Sequence, residues 1–215
     1  SCIYGIDIDI HAVEVAKFSL LIKLIEDETA PSVSEVVPIL PDLGDNIQFG
    51  NSLVSQTELN GISGANRQMM EIAPFDWSTI NNGCGFDVII GNPPYVNTEG
   101  MHALLPSAEV EVYKKKYKTS HKQFDKYFIF IEQAINKINE NGLVCYIVPN
   151  KFFKIGAGEK LRNLIAKERM LVSLDDFGDA QLFEDKTIYS SIILLSKAKQ
   201  TSFVYSSVDS ANKLW

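Results

Sequence analysis

The amino-acid sequence predicts an α/β fold built on a doubly wound sheet. Short apolar segments of strand length alternate with longer segments of helical periodicity, which is the pattern of sheets flanked by helices. One of these strands, residues 86–90, has the composition of a strand buried on both faces and ends at a rigid polar corner, residues 92–95. Polar corners at strand ends are typical of such sheets, because ligands bind beyond the carboxyl ends of the strands.

The first part of the chain contains strands and one clear helix. The predicted elements are a strand over residues 1–9, an amphipathic helix over residues 10–26, a loop or insertion over residues 31–46, and a strand over residues 47–51. Residues 52–83 carry little periodic signal.

The second part repeats the alternation. The predicted strands cover residues 86–90, 143–148, 170–177 and 187–196. The predicted helices cover residues 124–141 and 158–168. Gly142 is predicted to end the long helix as its C-cap. No internal repeat or low-complexity segment is visible.

The corner consists of Asn92, Pro93, Pro94 and Tyr95, after Gly91. Each proline fixes its own φ and pushes the residue before it out of the α region, so Asn92 is expected to be extended. The prolines also remove two N–H donors, which leaves mainly carbonyl acceptors beside an aromatic ring. Such a site suits a planar group that carries an amino nitrogen.

The chemistry this corner favours is alkylation of an exocyclic amine. The Asn92 side-chain oxygen and the Pro93 carbonyl can each accept one N–H bond, which leaves the nitrogen lone pair directed at an electrophile. Tyr95 can stack on the base, a contact worth about 1–3 kcal/mol. The amine becomes cationic only as the new bond forms, so no prior deprotonation and no metal are required.

The four corner residues resemble the catalytic motif of S-adenosylmethionine-dependent amino-methyltransferases, above all the adenine-N6 DNA methyltransferases. The resemblance implies a Rossmann-like methyltransferase sheet, S-adenosylmethionine as cofactor, double-stranded DNA as partner, and a role in bacterial restriction-modification. It assigns Asn92, Pro93 and Tyr95 to catalysis. Tyr95 and Phe183 would stack on the extruded target base, and a hydrophobic staple is the structural alternative for Phe183.

The same resemblance indicates four cofactor contacts. Asp7 would accept hydrogen bonds from the ribose hydroxyls, with Ile8 against the adenine ring. Capping of the following helix is the alternative for the acidic pair, and it fits Asp9 better than Asp7. Asn51 would meet the adenine amino group, although a polar turn is nearly as plausible. Phe130 would flank the cofactor or simply pack in the core.

Six lysines lie between the corner and the long helix, interleaved with Tyr113 and Tyr117. They are Lys114, Lys115, Lys116, Lys118, Lys122 and Lys126. Two interpretations stay open: a mobile flap that meets phosphates, or a solvated surface.

The composition limits the possible functions of the protein but does not identify one. The 215 residues are 46% hydrophobic and 22% charged, which suits one globular domain. The net charge of −7 is unusual for a protein that grips DNA by itself, since non-specific affinity comes largely from neutralised phosphates. No apolar run has the length of a membrane span, and three dispersed cysteines indicate reduced thiols in a cytoplasmic protein.

One departure from the family pattern concerns the glycine-rich loop for the methionine end of the cofactor. It should lie before Cys2, and residues 156–158 do not replace it. We therefore expect a partial catalytic domain, with that loop and a C-terminal DNA-recognition domain outside residues 1–215, and an open sheet edge prone to self-association. Two other functions remain open: a methyltransferase for protein glutamine or RNA, and a non-catalytic scaffold.

Overall fold

The computed structural model describes residues 3–26, 41–80, 83–181 and 189–207, with side chains omitted at 179–181. The chain divides into two compact units, Ser1–Gly83 and Cys84–Trp215. Each unit is described by itself.

In its described residues, the first unit contains two short parallel strands and two α-helices. They are β1 Gly5–Asp7, α1 Ile10–Ile25, β2 Ile47–Phe49 and α2 Ala65–Ile72. Gly5 pairs with Ile47 and Asp7 with Phe49, so both strands end at the same edge. The predicted strands and the predicted helix are confirmed within a few residues. Helix α2 was not predicted.

Helix α1 begins where Asp9 caps it, because the Asp9 carboxylate accepts the backbone N–H of His11 at 2.8 Å. The burial of the helix differs from the sequence-based expectation. Val13 is its one buried residue, whereas Val15, Phe18 and Leu24 are all more than half exposed. The apolar side of α1 is therefore present but largely uncovered.

The second unit is a mixed sheet with helices. The strands are β3 Phe86–Gly91, β4 Ile138–Pro149, β5 Leu171–Gln181, β6 Tyr189–Ser196 and β7 Val204–Ser207. The helices are α3 Thr98–Leu104, α4 Ser107–Lys116, α5 Lys126–Lys137 and α6 Glu159–Lys167. The strand order is β3-β4-β6-β5-β7; β3 is parallel to β4 and β7 to β5, whereas β6 is antiparallel to both its neighbours.

The α/β class is confirmed, but the burial predicted for β3 is wrong. Strand β3 is the first strand in the sheet order and pairs with β4. Val88 is 55% exposed and Ile90 is 75% exposed. The apolar composition of the strand predicts two covered faces, whereas in the structure the face that carries Val88 and Ile90 is left exposed.

The C-cap predicted at Gly142 is also wrong. Helix α5 ends at Lys137, and β4 begins at Ile138. Gly142 lies inside β4, where the register with β3 shifts. A Cβ on Gly142 would lie 2.8 Å from both the Ile138 Cβ and the Phe86 carbonyl oxygen. Gly142 is therefore required by close packing between strands and not by the end of a helix.

The core of the second unit is aromatic and aliphatic. Its fully buried side chains include Tyr113, Phe124, Tyr127, Phe128, Ile129, Ile131, Leu161 and Ile193. Helices α3 and α4 and strand β7 were not predicted, because their sequences show weak apolar periodicity. Across the described residues, no helix combines the length and the apolar character that crossing a membrane requires.

Candidate active site

The Asn-Pro-Pro-Tyr corner lies directly after the carboxyl end of β3. Pro93 is buried, Asn92 is exposed and Tyr95 is half-buried. Gly91 sits opposite Tyr146 of β4, and a Cβ on Gly91 would lie 3.2 Å from the Tyr146 ring. The glycine therefore lets the ring of Tyr146 approach the strand just before the corner.

The hydroxyl of Tyr95 joins the corner to the sheet. It donates to the Asn92 side-chain oxygen at 2.5 Å and lies 3.1 Å from the Ile147 carbonyl oxygen of β4. The amide oxygen of Asn92 has two lone pairs, so one remains for a second donor. Tyr95 thus fixes the orientation of an exposed acceptor.

An aromatic cluster supports Tyr95 from behind. Its ring meets that of Tyr127 edge-on, with centroids 6.1 Å apart, and Tyr127 in turn packs on Phe128 and Phe152. Such edge-to-face pairs are favourable in geometry and energy. Burial raises the pKa of the Tyr95 hydroxyl. Burial, together with the charge of Asp125, also raises the pKa of Tyr127. Both hydroxyls therefore stay protonated and act as donors, not as bases.

The chain after the corner is held against the start of α5. The backbone N–H of Lys126 donates to the Val96 carbonyl at 2.7 Å, and the Thr98 hydroxyl donates to the Phe124 carbonyl at 2.8 Å. Lys151, which follows β4, pairs with the buried carboxylate of Asp125 at 3.0 Å. These contacts hold together three segments around the corner: the residues that follow Tyr95, the start of α5 and the turn after β4.

The predicted cofactor residues of the first unit share the edge where β1 and β2 end. Asp7 and Ile8 are both exposed, and one Asp7 carboxylate oxygen accepts the Asp9 N–H at 2.8 Å. Asn51 is only 3% exposed, and its side-chain oxygen accepts the buried N–H of Leu53 at 3.1 Å. Asp7 and Ile8 therefore offer surface to a ligand, whereas Asn51 primarily supports a turn.

Sequence reasoning missed Trp77 at this edge. Its indole N–H donates to the Ser52 carbonyl at 2.9 Å, and its ring meets Phe75 edge-on at 5.5 Å. The indole therefore brings an aromatic surface beside Ser52, directly after Asn51. No local motif signals this contact, because 25 residues separate its two partners.

The remaining predicted residues lie in the second part of the chain. Phe130 is on α5 and half-buried, so its ring contributes to packing and keeps some surface. Phe183 lies outside the described residues. Residues 156–158 form a turn before α6, and a Cβ on Gly158 would lie 2.3 Å from the Phe152 carbonyl oxygen. That glycine serves close packing.

Comparison with known proteins decides the family. The model of the Eco57I restriction-modification methylase family matches residues 1–183. The chain belongs to this family.

The proteins to which this chain is similar are much longer than the chain itself. The chain is 42% identical over 212 residues to the type II restriction enzyme and methyltransferase RM.Eco57I of Escherichia coli, covering 99% of this chain and 20% of that protein. It is 31% identical over 113 residues to the type II methyltransferase M.PaeR7I of Pseudomonas aeruginosa, covering 52% of this chain and 19% of that one. The chain thus spans about a fifth of the length of these relatives.

Solved structures share the fold of this Eco57I-family chain at low identity. The DrdV–DNA complex, solved by cryo-electron microscopy, matches with a TM-score of 0.63 at 14% identity, covering 97% of this chain and 22% of the other. The M protein of the type I restriction enzyme EcoKI matches with a TM-score of 0.57 at 12% identity, covering 99% and 36%. The predicted Rossmann-like methyltransferase fold is confirmed.

Proposed function

We propose that the intact protein is a site-specific DNA methyltransferase of a restriction-modification system. It transfers a methyl group from S-adenosylmethionine to the N6 amine of an adenine flipped out of the duplex. The observation that carries this proposal is the corner after β3. There an exposed Asn92 is held by the Tyr95 hydroxyl with one lone pair left to accept.

The corner positions the amine and does not deprotonate it before the attack; the cationic amine formed by the transfer loses its extra proton to solvent afterwards. Asn92 and the Pro93 carbonyl accept its two N–H bonds, which directs the nitrogen lone pair away from them. The neighbouring tyrosine hydroxyls have raised pKa values and hold their protons, so neither competes as a base. Most of the rate enhancement then comes from orientation and exclusion of water.

The target adenine must leave the base stack, at a cost of a few kcal/mol. The ring of Tyr95 offsets part of this cost by stacking, and its position is fixed by Tyr127 behind it. Phe183 is proposed as the second stacking residue.

Bound S-adenosylmethionine supplies an electrophilic methyl group on a sulfonium sulfur. The exposed Asp7 carboxylate fits its ribose hydroxyls, and the exposed Ile8 side chain fits its adenine ring. Trp77 adds an aromatic surface at the same edge. Asn51 is proposed to meet the adenine amino group with the remaining lone pair of the side-chain oxygen that accepts the Leu53 N–H, and Phe130 is proposed to flank the cofactor.

We further propose that residues 1–215 form only part of the catalytic domain. The open edge of β3 and the exposed Val88 and Ile90 support a further strand beside β3 in the intact protein. That strand would lead into the glycine-rich loop for the methionine end of the cofactor, and a DNA-recognition domain would follow.

The test uses the intact protein with S-adenosylmethionine and duplex DNA, and identifies the product nucleoside by mass spectrometry. Wild type is expected to produce N6-methyladenine. Asn92→Ala should lose about 10²–10³-fold in turnover, the scale seen when one positioned polar group is removed. Asn92→Asp is the matched control, because it keeps an acceptor oxygen and should retain part of the activity.

Cofactor affinity separates the assigned role from a structural one. Asn92 is proposed to contact only the amine, so calorimetry should give nearly the same dissociation constant for wild type and Asn92→Ala. Methylation of cytosine, of RNA or of a protein glutamine in place of adenine in DNA would overturn the proposal.

A further inference from the structure

Residues 114–122, here the basic segment, contain five lysines and no carboxylate. The segment contributes +5, so a total of −7 leaves −12 for the rest of the chain. We propose that the basic segment binds backbone phosphates of the DNA strand whose base enters the site. This inference rests on the proposed function.

The segment is held in place by a buried carboxylate. Glu132 of α5 is buried, and its two oxygens accept the N–H groups of Lys118 and Thr119 at 3.0 and 2.8 Å. The Tyr117 hydroxyl donates to the Gln133 side-chain oxygen at 3.2 Å. The sequence left two interpretations open, a mobile flap or a solvated surface. These hydrogen bonds instead hold the turn after α4 in place, so ordering it on binding costs little entropy.

The tyrosines of this region are core residues. Tyr113 is completely buried and Tyr117 is 3% exposed, so neither ring can stack on a base. Lys126 is also withdrawn from solvent: it pairs with the buried Glu109 at 3.7 Å, and burial lowers its pKa. What the segment presents to solvent is therefore charge without aromatic surface, which suits phosphates more than bases.

The lysines differ in what they face. Lys115 pairs with Glu111 at 2.6 Å, and Lys122 lies 3.6 Å from Glu159. Lys114 instead faces a ring nitrogen of His102 at 3.1 Å.

Lys118 is exposed and makes no ion pair with a carboxylate in the described ranges. A phosphate oxygen beside Lys114 could accept from its ammonium group and, after a change of tautomer, from His102. Lys116 lies over the Tyr117 ring, 4.9 Å from its centroid, so Lys114 and Lys118 are the lysines of the segment most available to an anion.

The part of the chain that contains the basic segment begins and ends at the catalytic corner. The chain leaves the corner at Asn97, runs through α3, α4 and the basic segment, and returns at Asp125, which forms an isolated β-bridge with Asn97. Asn97 lies two residues after Tyr95. Glu132, which holds the segment, lies six residues along α5 from Lys126, about 9 Å, so a strand that delivers a base to Tyr95 brings phosphates a few nucleotides away near the segment.

The experiment measures binding of the intact protein to a duplex that carries its recognition sequence, over a series of salt concentrations. A phosphate contact contributes about 0.9 to the slope of log affinity against log salt. Lys114→Gln combined with Lys118→Gln should therefore flatten the slope by about 1.8. Turnover at saturating DNA should stay near that of wild type, because neither lysine touches the reacting atoms.

The matched control is Lys17→Gln combined with Lys23→Gln on α1, which changes net charge equally and removes lysines paired with Glu14 and Glu26. Its slope should equal that of wild type. An unchanged slope in the Lys114/Lys118 variant, or an equal change in the control, would overturn the inference even if wild type methylates adenine. Absence of DNA methylation by wild type would instead refute the proposed function.

Discussion

The hydroxyl and the ring of Tyr95 make separate contributions, and two substitutions can tell them apart. Tyr95→Phe removes the hydrogen bond to Asn92 and the 3.1 Å contact with the Ile147 carbonyl oxygen but keeps the ring that meets Tyr127. One such bond is worth about 1 kcal/mol, so turnover should fall roughly fivefold. Tyr95→Ala also removes the ring that stacks on the base, so its turnover should fall further. Equal losses in single-turnover assays would show that the hydroxyl carries the whole effect.

The raised pKa of Tyr95 has a consequence for the pH profile. The ordinary value for tyrosine is 10.0, and burial raises it in this protein. The neutral hydroxyl is the form that donates to Asn92, and it remains the dominant form at any pH well below about 10, so its ionisation should not reduce turnover up to about pH 9. Wild type and Tyr95→Phe should therefore show the same dependence of turnover on pH between about pH 7 and pH 9. A fall in the turnover of wild type within that pH range, absent from Tyr95→Phe, would contradict this prediction.

Asp7 is the residue that should control cofactor affinity. A charge-assisted hydrogen bond to ribose is worth about 1.5–3 kcal/mol, so Asp7→Ala in the intact protein should raise the dissociation constant roughly 10–150-fold. Asp9→Ala is the natural comparison, because Asp9 caps α1 and should cost stability more than affinity. Calorimetry that finds the affinity unchanged in Asp7→Ala would reduce Asp7 to a structural role.

At the scale of elements, the pairing of β3 with β4 depends on a glycine that leaves no room for a side chain. Gly142→Ala would place a Cβ 2.8 Å from the Phe86 carbonyl oxygen, so β3 and β4 must separate. We expect a loss of about 1–3 kcal/mol in the free energy of unfolding, measured by urea denaturation. Gly156→Ala is the control: its Cβ would meet only the Lys122 ammonium nitrogen at 3.8 Å. Equal stability of both variants would show that the strands adjust freely.

The elements around the corner are fixed by charge as well as packing. Asp125 is almost fully buried, and its ion pair with Lys151 links the start of α5 to the turn after β4. Removing Lys151 would leave a buried carboxylate without its cation, which is costly. The same logic applies to Glu132, whose two backbone partners fix the basic segment. The buried carboxylates of Asp125 and Glu132 thus fix the surroundings of the corner and the basic segment, whereas the sequence identifies these regions only as polar.

On the scale of the whole molecule, exposed apolar surface dominates the behaviour of the isolated chain. The apolar side of α1 and the residues Val88 and Ile90 of β3 are exposed, and β3 lies at the edge of the sheet formed by the described strands, a position that favours pairing with another strand. We expect residues 1–215 alone to self-associate, to bind S-adenosylmethionine weakly or not at all, and to leave DNA unmethylated. Light scattering and calorimetry test this. A monomer that binds the cofactor with micromolar affinity would contradict it.

The sequence alone determined those features that short-range patterns encode. Helix α1 and its Asp9 cap, the strands β3 and β6, helix α6 and the α/β class all follow from periodicity and capping within a few residues. The Asn-Pro-Pro-Tyr corner was visible for the same reason, since proline constrains the residues beside it.

Only the tertiary structure decided which surfaces are covered and which side chains meet. Tyr95 contacts Ile147 across 52 residues, and Glu132 fixes the basic segment from 13 or 14 residues away. The exposure of β3 depends on its place at the sheet edge, and the place of Gly142 depends on the approach of Phe86. Each of these follows from contacts between distant segments, and the periodicity of a single segment carries no information about its neighbours in space.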